Sequence, residues 1–246
     1  HAQHIVHHEY LAIAAGARLA LLNAAANRIA AGEADVCAVA GGEALRTAAK
    51  RAAGGKRDAV RESAARGTRE GRARYGIVAP TDVYPLYENA CRASWGQTLA
   101  EAQAESAEIW AGMSRVAAAN AHAWLRNAVS AKEIAAISAN NRPIAFPYTK
   151  LTVANASVNQ GAAFIVTSLT RAKAAGVAET RLVYVGRGAA AREPGDVLAR
   201  DRLDRSLSLD ASLRGALAFN GIGSGELDLV ELYSCFPVMP KLARRT

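Results

Sequence analysis

Two short runs, Val36-Cys37-Ala38-Val39-Ala40 and Ala162-Ala163-Phe164-Ile165-Val166-Thr167, are small or apolar at nearly every position. A strand with one wet face alternates apolar and polar residues, so a run without alternation reads as a strand covered on both faces. Ahead of the first run, Leu11 to Ala31 has a helical pattern. Leu19, Leu22, Ala26 and Ile29 form one apolar stripe, and Gly32 stands where a helix C-cap belongs. Gly41-Gly42-Glu43 marks the expected end of the strand, where the backbone turns or makes a close approach. Helix next to covered strand points to an α/β fold. In that setting Cys37 faces a helix as a small hydrophobe.

The same reasoning extends along the chain. Tyr75 to Tyr87, broken by Pro80 and Pro85, reads as loop or short helix. Thr98 to Ala119 is helical, and Ser130 with Glu133 three residues on has the form of a capping box. Asn140 to Tyr148 is extended and braced by Pro143 and Pro147. Leu169 to Ala175 is a helix capped by Gly176, Arg181 to Gly186 a further strand, and a helix lies near Asp210 to Phe219. Gly221, Gly223 and Gly225 form a GxGxG that follows a helix and precedes a strand. A dinucleotide fingerprint has the opposite order, so this is a connection.

Near the end lies Asp228-Leu229-Val230-Glu231-Leu232-Tyr233-Ser234-Cys235-Phe236-Pro237. Leu229, Val230 and Leu232 read as a short buried strand, with a phenol, a hydroxyl and a thiol directly after it. Strand ends in α/β folds are where sites are built, because the scaffold is fixed and the loop carries chemistry. The loop is either a site or a packed corner with Tyr233 as a buried, hydrogen-bonded phenol. His122, beside Trp124, is either a general base or ligand contact, or the cap of a loop.

The net charge of the 246-residue chain is +8, and aromatics make up only 6% of its residues. Much of the charge falls in Arg46 to Arg74, which reads as a mobile insertion with no interleaved aromatics to stack bases. Single-strand nucleic-acid binding is therefore poorly supported. A solvated arm and a landing site for a phosphorylated ligand both remain open. Cys37, Cys91 and Cys235 are widely spaced, forming neither a disulfide framework nor a zinc site, as expected in a reducing cytoplasm. His4 and His8 would share a helix face, but nothing near them completes a ligand set, so no metal is expected. No apolar run approaches the roughly 20 residues that span a bilayer. The chain opens on His1 without an initiator Met or signal segment, and is expected to be soluble and truncated.

With these motifs in order, the chain resembles the middle of the thiolase superfamily. Gly32 to Val36 with Ala40 to Glu43 is similar to a GxxDVxxAGGxE-type junction, and Asn155 to Ala163 to an NASxxNDGAA segment. Asp228 to Phe236 falls where thiolases carry NEAF and sterol-carrier-protein-type thiolases carry HDCF. Ile144 to Leu151 and Tyr233 to Pro237 look like an actinobacterial "acetyl-CoA acetyltransferase" thiolase-like group.

The resemblance implies a layered αβαβα fold, present in part, with an inserted, mainly helical loop domain. Residues 1–47 would end the first half, 48–139 form the insertion, 140–175 return to the first half and 176–246 begin the second. It implies an acyl-CoA substrate and an acyltransferase-class activity, with Ser157, Asn155 and His122 toward coenzyme A and Tyr233 catalytic. Tyr233 stands where relatives orient an oxyanion-stabilising water. The family's nucleophilic cysteine has no counterpart at Ala14 to Arg18, and its GHP histidine and CSG cysteine would lie beyond Thr246. Two alternatives stand beside acyl transfer: a thiolase-like retro-aldolase using Tyr233, or a non-catalytic acyl-CoA-binding subunit. The expected assembly is a homodimer or a complex with a small acyl-CoA-binding OB-fold partner.

Overall fold

The computed structural model describes residues 17–54, 70–155 and 157–246. In chain order these form α1 (Ala17–Ala30), β1 (Val36–Glu43), α2 (Leu45–Ala53), α3 (Glu70–Ala73), α4 (Pro80–Ser94), α5 (Leu99–Ala119), α6 (Ala131–Ala135), β2 (Pro143–Ala145), β3 (Tyr148–Thr149), β4 (Gln160–Thr167), α7 (Leu169–Ala174), α8 (Leu207–Asn220) and α9 (Val238–Arg245). Two compact units result, residues 1–50 with 157–186, and residues 51–156 with 187–246.

In the first unit β1 and β4 pair antiparallel, from Val36 against Thr167 to Glu43 against Gln160. Asn159 clips the entry to β4: its amide donates to the Thr47 hydroxyl (2.8 Å) and accepts from the Thr47 N–H (3.2 Å). The strand does not end at Gly41, as the sequence suggests. It runs on through Glu43, and a Cβ on Gly161 would lie 3.4 Å from the Gly41 carbonyl. That close approach is what the glycines permit. The expectation of strands covered on both faces is also corrected. α1 lies against both strands, and along β1 only Cys37, Val39 and Glu43 are half-buried. Burial of both faces needs a layer on each side, and among the described residues Val166 alone in β4 is buried. Gly32, at φ +73°, and Gly176, at φ +72°, end their helices as expected. Arg181–Gly186 is not a strand: its backbone has no partner strand among the described residues, and Val183 is 91% exposed.

The second unit packs its helices around two apolar clusters. Cys91, Tyr148, Phe236, Val238 and Leu242 form one; Ala107, Ala111 and Ile134 form the other. The capping box read from sequence at Ser130 is present, and a second one opens α5. The Glu101 N–H donates to the Thr98 hydroxyl at 3.3 Å, and the Glu133 N–H donates to the Ser130 hydroxyl at 3.3 Å. Each glutamate accepts in return from the cap's N–H.

The helix α4 is longer than the prolines suggest. Pro80 occupies a first-turn position, where an N–H would go unused, and Asp82 accepts from the N–H groups of Val78 and Ala79 (3.1 and 2.7 Å). Pro85 lies inside the helix and removes one further donor, and Glu88 and Cys91 are the residues the helix buries. Asn141 is buried, with its amide donating to the carbonyls of Ile134 and Ala136 and its oxygen accepting from the Leu151 N–H. That side chain joins α6 to the turn that follows β3. No described helix is long and apolar enough to cross a membrane.

The second unit also buries charge. Lys241, fully buried in α9, donates to Glu88 in α4 at 2.5 Å and to the Ala102 carbonyl in α5 at 2.8 Å. Tyr148 donates to the second Glu88 oxygen at 3.0 Å. Removing one partner from such a pair leaves a charge without compensation. Lys241→Met is expected to lower the unfolding free energy by about 3–5 kcal/mol in chemical denaturation, and adding Glu88→Gln should restore part of it.

Candidate functional site

The stretch Asp228–Leu232 is not the buried strand expected from its sequence. Leu229 is 92% exposed and Val230 60% exposed, because no strand lies beside them among the described residues. The segment from Cys235 onward, by contrast, is held firmly. Phe236 is buried and stacks on Tyr84 of α4 at 4.2 Å with a 12° angle between rings, and Tyr148 tilts against it at 5.2 Å. The Cys235 carbonyl accepts from the Ala154 N–H at 3.1 Å. Pro237 then leads into α9, whose Lys241 makes the buried ion pair.

On this base Tyr233 stands half open to solvent, 48% exposed. Cys235 in the same loop and Tyr84 on α4 are its neighbours. Burial of the ring, then the neighbouring Cys235, pushes its pKa up from the ordinary phenol value. Tyr233 is thus held protonated, a hydrogen-bond donor and not a ready base. The half-buried Cys235 packs against the same cluster. Arg200 stands beside this group, its guanidinium 5.6 Å from the centre of the Tyr87 ring and 3.1 Å from Glu193. Burial works against the charge of Glu193, but donors from Ser206, Ser208 and the Leu207 N–H outweigh it and hold the carboxyl below its usual range.

Asn155 comes directly after Ala154, so the backbone bond to Cys235 brings it beside the Tyr233 loop. His122 is exposed in the turn after α5, with its N–H donating to the Asn120 side chain at 2.9 Å. The side chain that caps this turn is that of Asn120, and the His122 bond does not reach the residues around Tyr233. Ser157 is exposed and belongs to the first unit. His4, His8 and residues 55–69 of the basic stretch lie outside the described residues. Among the described residues no group of His, Cys, Asp and Glu is arranged to hold a metal ion.

Sequence reasoning missed Tyr84, Glu88, Tyr148, Arg200 and Lys241. The spacing of Tyr84, Glu88 and Cys91 does lie on one helix face. Pro80 and Pro85 obscured the helix that displays it. Behind them a cleft of about 20 Å³ borders Glu88, Tyr148 and Thr149 but not Tyr233. It has room for about one water and none for a substrate.

Compared with solved structures, the chain is similar to a monomeric SCP2-thiolase-like protein type 1 from Mycobacterium smegmatis. The identity is 32% over 89% of this chain and 43% of that one, with a TM-score of 0.73. The chain is thiolase-like. It is also similar, at 18% identity and TM-score 0.68, to an Ltp2-ChsH2(DUF35) aldolase, covering 93% of this chain and 55% of that one. At that identity the likeness speaks to the fold, which is the same α/β kind. The thiolase-like chain spans 43% and 55% of the lengths of these structures. No family model and no curated protein matches it.

In the thiolase-like chain Cys91 is not placed as a nucleophile. It is buried, donates to the Leu203 carbonyl at 3.6 Å, and burial with nearby Glu88 pushes its pKa from 9.0 up to about 12. A raised pKa contributes stability that is intact below the unfolded value and is lost as pH climbs to the folded one. Unfolding free energy measured from pH 9 towards 12 is expected to fall more steeply in the native chain than in Cys91→Val.

Proposed function

We propose that the thiolase-like chain forms part of an acyl-CoA enzyme that cleaves the bond between the α and β carbons of a β-hydroxyacyl thioester by a retro-aldol reaction, with Tyr233 donating to the thioester oxygen. The observation that carries this reading is the protonated phenol of Tyr233, half exposed above the Tyr84–Phe236 stack. In a retro-aldol cleavage a β-hydroxyacyl thioester loses its hydroxyl proton to a base. The bond between the α and β carbons then breaks, and its electron pair becomes a thioester enolate. The β carbon leaves as a carbonyl, and the enolate takes a proton at the α carbon. A donor aimed at the enolate oxygen stabilises the charge where it develops. No thiol nucleophile is required, which fits the buried Cys91 and the packed Cys235.

The fold likeness to a structure described as an aldolase supports the same class. That structure carries a DUF35 component, and a small acyl-CoA-binding partner is proposed for this chain on the same ground. Asn155, beside the Tyr233 loop, is proposed to contact the pantetheine arm. Ser157 and His122 are proposed for coenzyme A from their motif positions, and the basic stretch from Arg46 to Arg74 for its phosphates. CoA-dependent acyl transfer is the second reading, favoured by the thiolase-like structure at 32% identity.

The two readings separate in one assay. A β-hydroxyacyl-CoA is expected to release a carbonyl product without free CoA, and Tyr233→Phe should lower kcat by about a hundredfold or more. Its affinity for the thioester should stay within about tenfold, since a lost neutral hydrogen bond is worth roughly 0.5–1.5 kcal/mol. Acetoacetyl-CoA thiolysis that requires free CoA and survives Tyr233→Phe would favour transfer. Tight thioester binding with neither product would leave a binding subunit.

A further inference from the structure

We propose that the cleft beside Glu88 is a binding site for one structural water, with the Thr149 hydroxyl as its partner on β3 and the Glu88 carboxylate as its acceptor on α4. Thr149 is 7% exposed, and its side-chain oxygen is enclosed without a hydrogen-bond partner among the described residues. The backbone of Thr149 is already engaged: its N–H donates to the Thr152 hydroxyl at 3.1 Å, and its carbonyl accepts from that hydroxyl at 2.9 Å. Thr149 stands at the N-cap of the turn 150–152, yet its hydroxyl makes no cap bond. A buried hydroxyl left unpaired loses its bonds to water and gains none, so native structures pair such groups with protein or with ordered water. The cleft supplies the place. Its volume of about 20 Å³ exceeds the roughly 10–15 Å³ that one water requires, and Thr149 and Glu88 both line it. One Glu88 oxygen receives Lys241 and the other Tyr148, but a carboxylate offers about four acceptor directions. A water there meets two polar partners, enough to order it. Gln103 is exposed, lines the same cleft, and donates to the Pro147 carbonyl at 3.4 Å, so the site borders solvent beside one long hydrogen bond. Ala107 and Ile134 of one apolar cluster and Tyr148 of the other also line it. The water therefore stands at the seam of the two clusters and links β3 to α4 through polar contacts there.

Two measurements on the full chain test the site, and neither needs an acyl-CoA. A high-resolution crystal structure is expected to show one water in the cleft within hydrogen-bond distance of Thr149 Oγ1. A dry cleft, or a Thr149 hydroxyl bonded to protein alone, overturns the proposal. Thr149→Val replaces the hydroxyl with a methyl of like shape. With the water bound, the substitution strips it of a partner, and the folding equilibrium constant from chemical denaturation is expected to fall about three- to tenfold. Were the hydroxyl unpaired instead, the methyl would relieve it. A constant that stays put or rises therefore overturns the proposal as well. If the variant does not fold, the crystal structure of the native chain decides alone. Tyr233 enters neither measurement, so the proposed function can fail with the water site intact.

Discussion

The ion pair between Lys241 and Glu88 sits beneath everything the second unit offers. Taking two charges out of water costs several kcal/mol per ion, recovered only when geometry and further hydrogen bonds are good. Here they are: Lys241 also reaches the Ala102 carbonyl, and Glu88 also receives the Tyr148 hydroxyl. The pair thereby ties α4, α5, the β2–β3 hairpin and α9 to one another. An apolar substitute of equal volume would hold these elements by area alone. The charged version fixes which oxygen meets which donor, and so fixes where the Tyr84 and Phe236 rings must lie.

Much of the local architecture was legible because it rests on neighbouring residues. Ser130 with Glu133 announces a helix start within a span of three residues, and Gly32 and Gly176 announce ends through the left-handed backbone they adopt. The β1 and β4 runs were legible as strands. Their degree of burial was not, since that depends on what lies across each face. Leu229, Val230 and Val183 carry the side chains of buried strands, yet a strand exists only where another backbone pairs with it.

The site was legible in part for the same reason. Tyr233 and Asn155 stood out through their motifs, and the structure sets them on joined segments through the Ala154–Cys235 backbone bond. The partners that define the chemistry came from far along the chain. Lys241 and Glu88 are 153 residues apart, and Tyr148 and Glu88 are 60 apart. Periodicity carries no information at such distances. Pro85 hid the nearest clue, because a proline within a helix reads as a boundary unless the packing around it is known.

The exposure of Tyr233 sets it apart from the residues that hold it. Phe236, Pro237 and Lys241 are locked into the core, whereas the phenol three residues before Phe236 projects into water from the same loop. Reactivity and foldedness are therefore assigned to different side chains of one short segment. A lineage could exchange the group at position 233 for an amide, an imidazole or a phenol, trying new chemistry on an unchanged foundation.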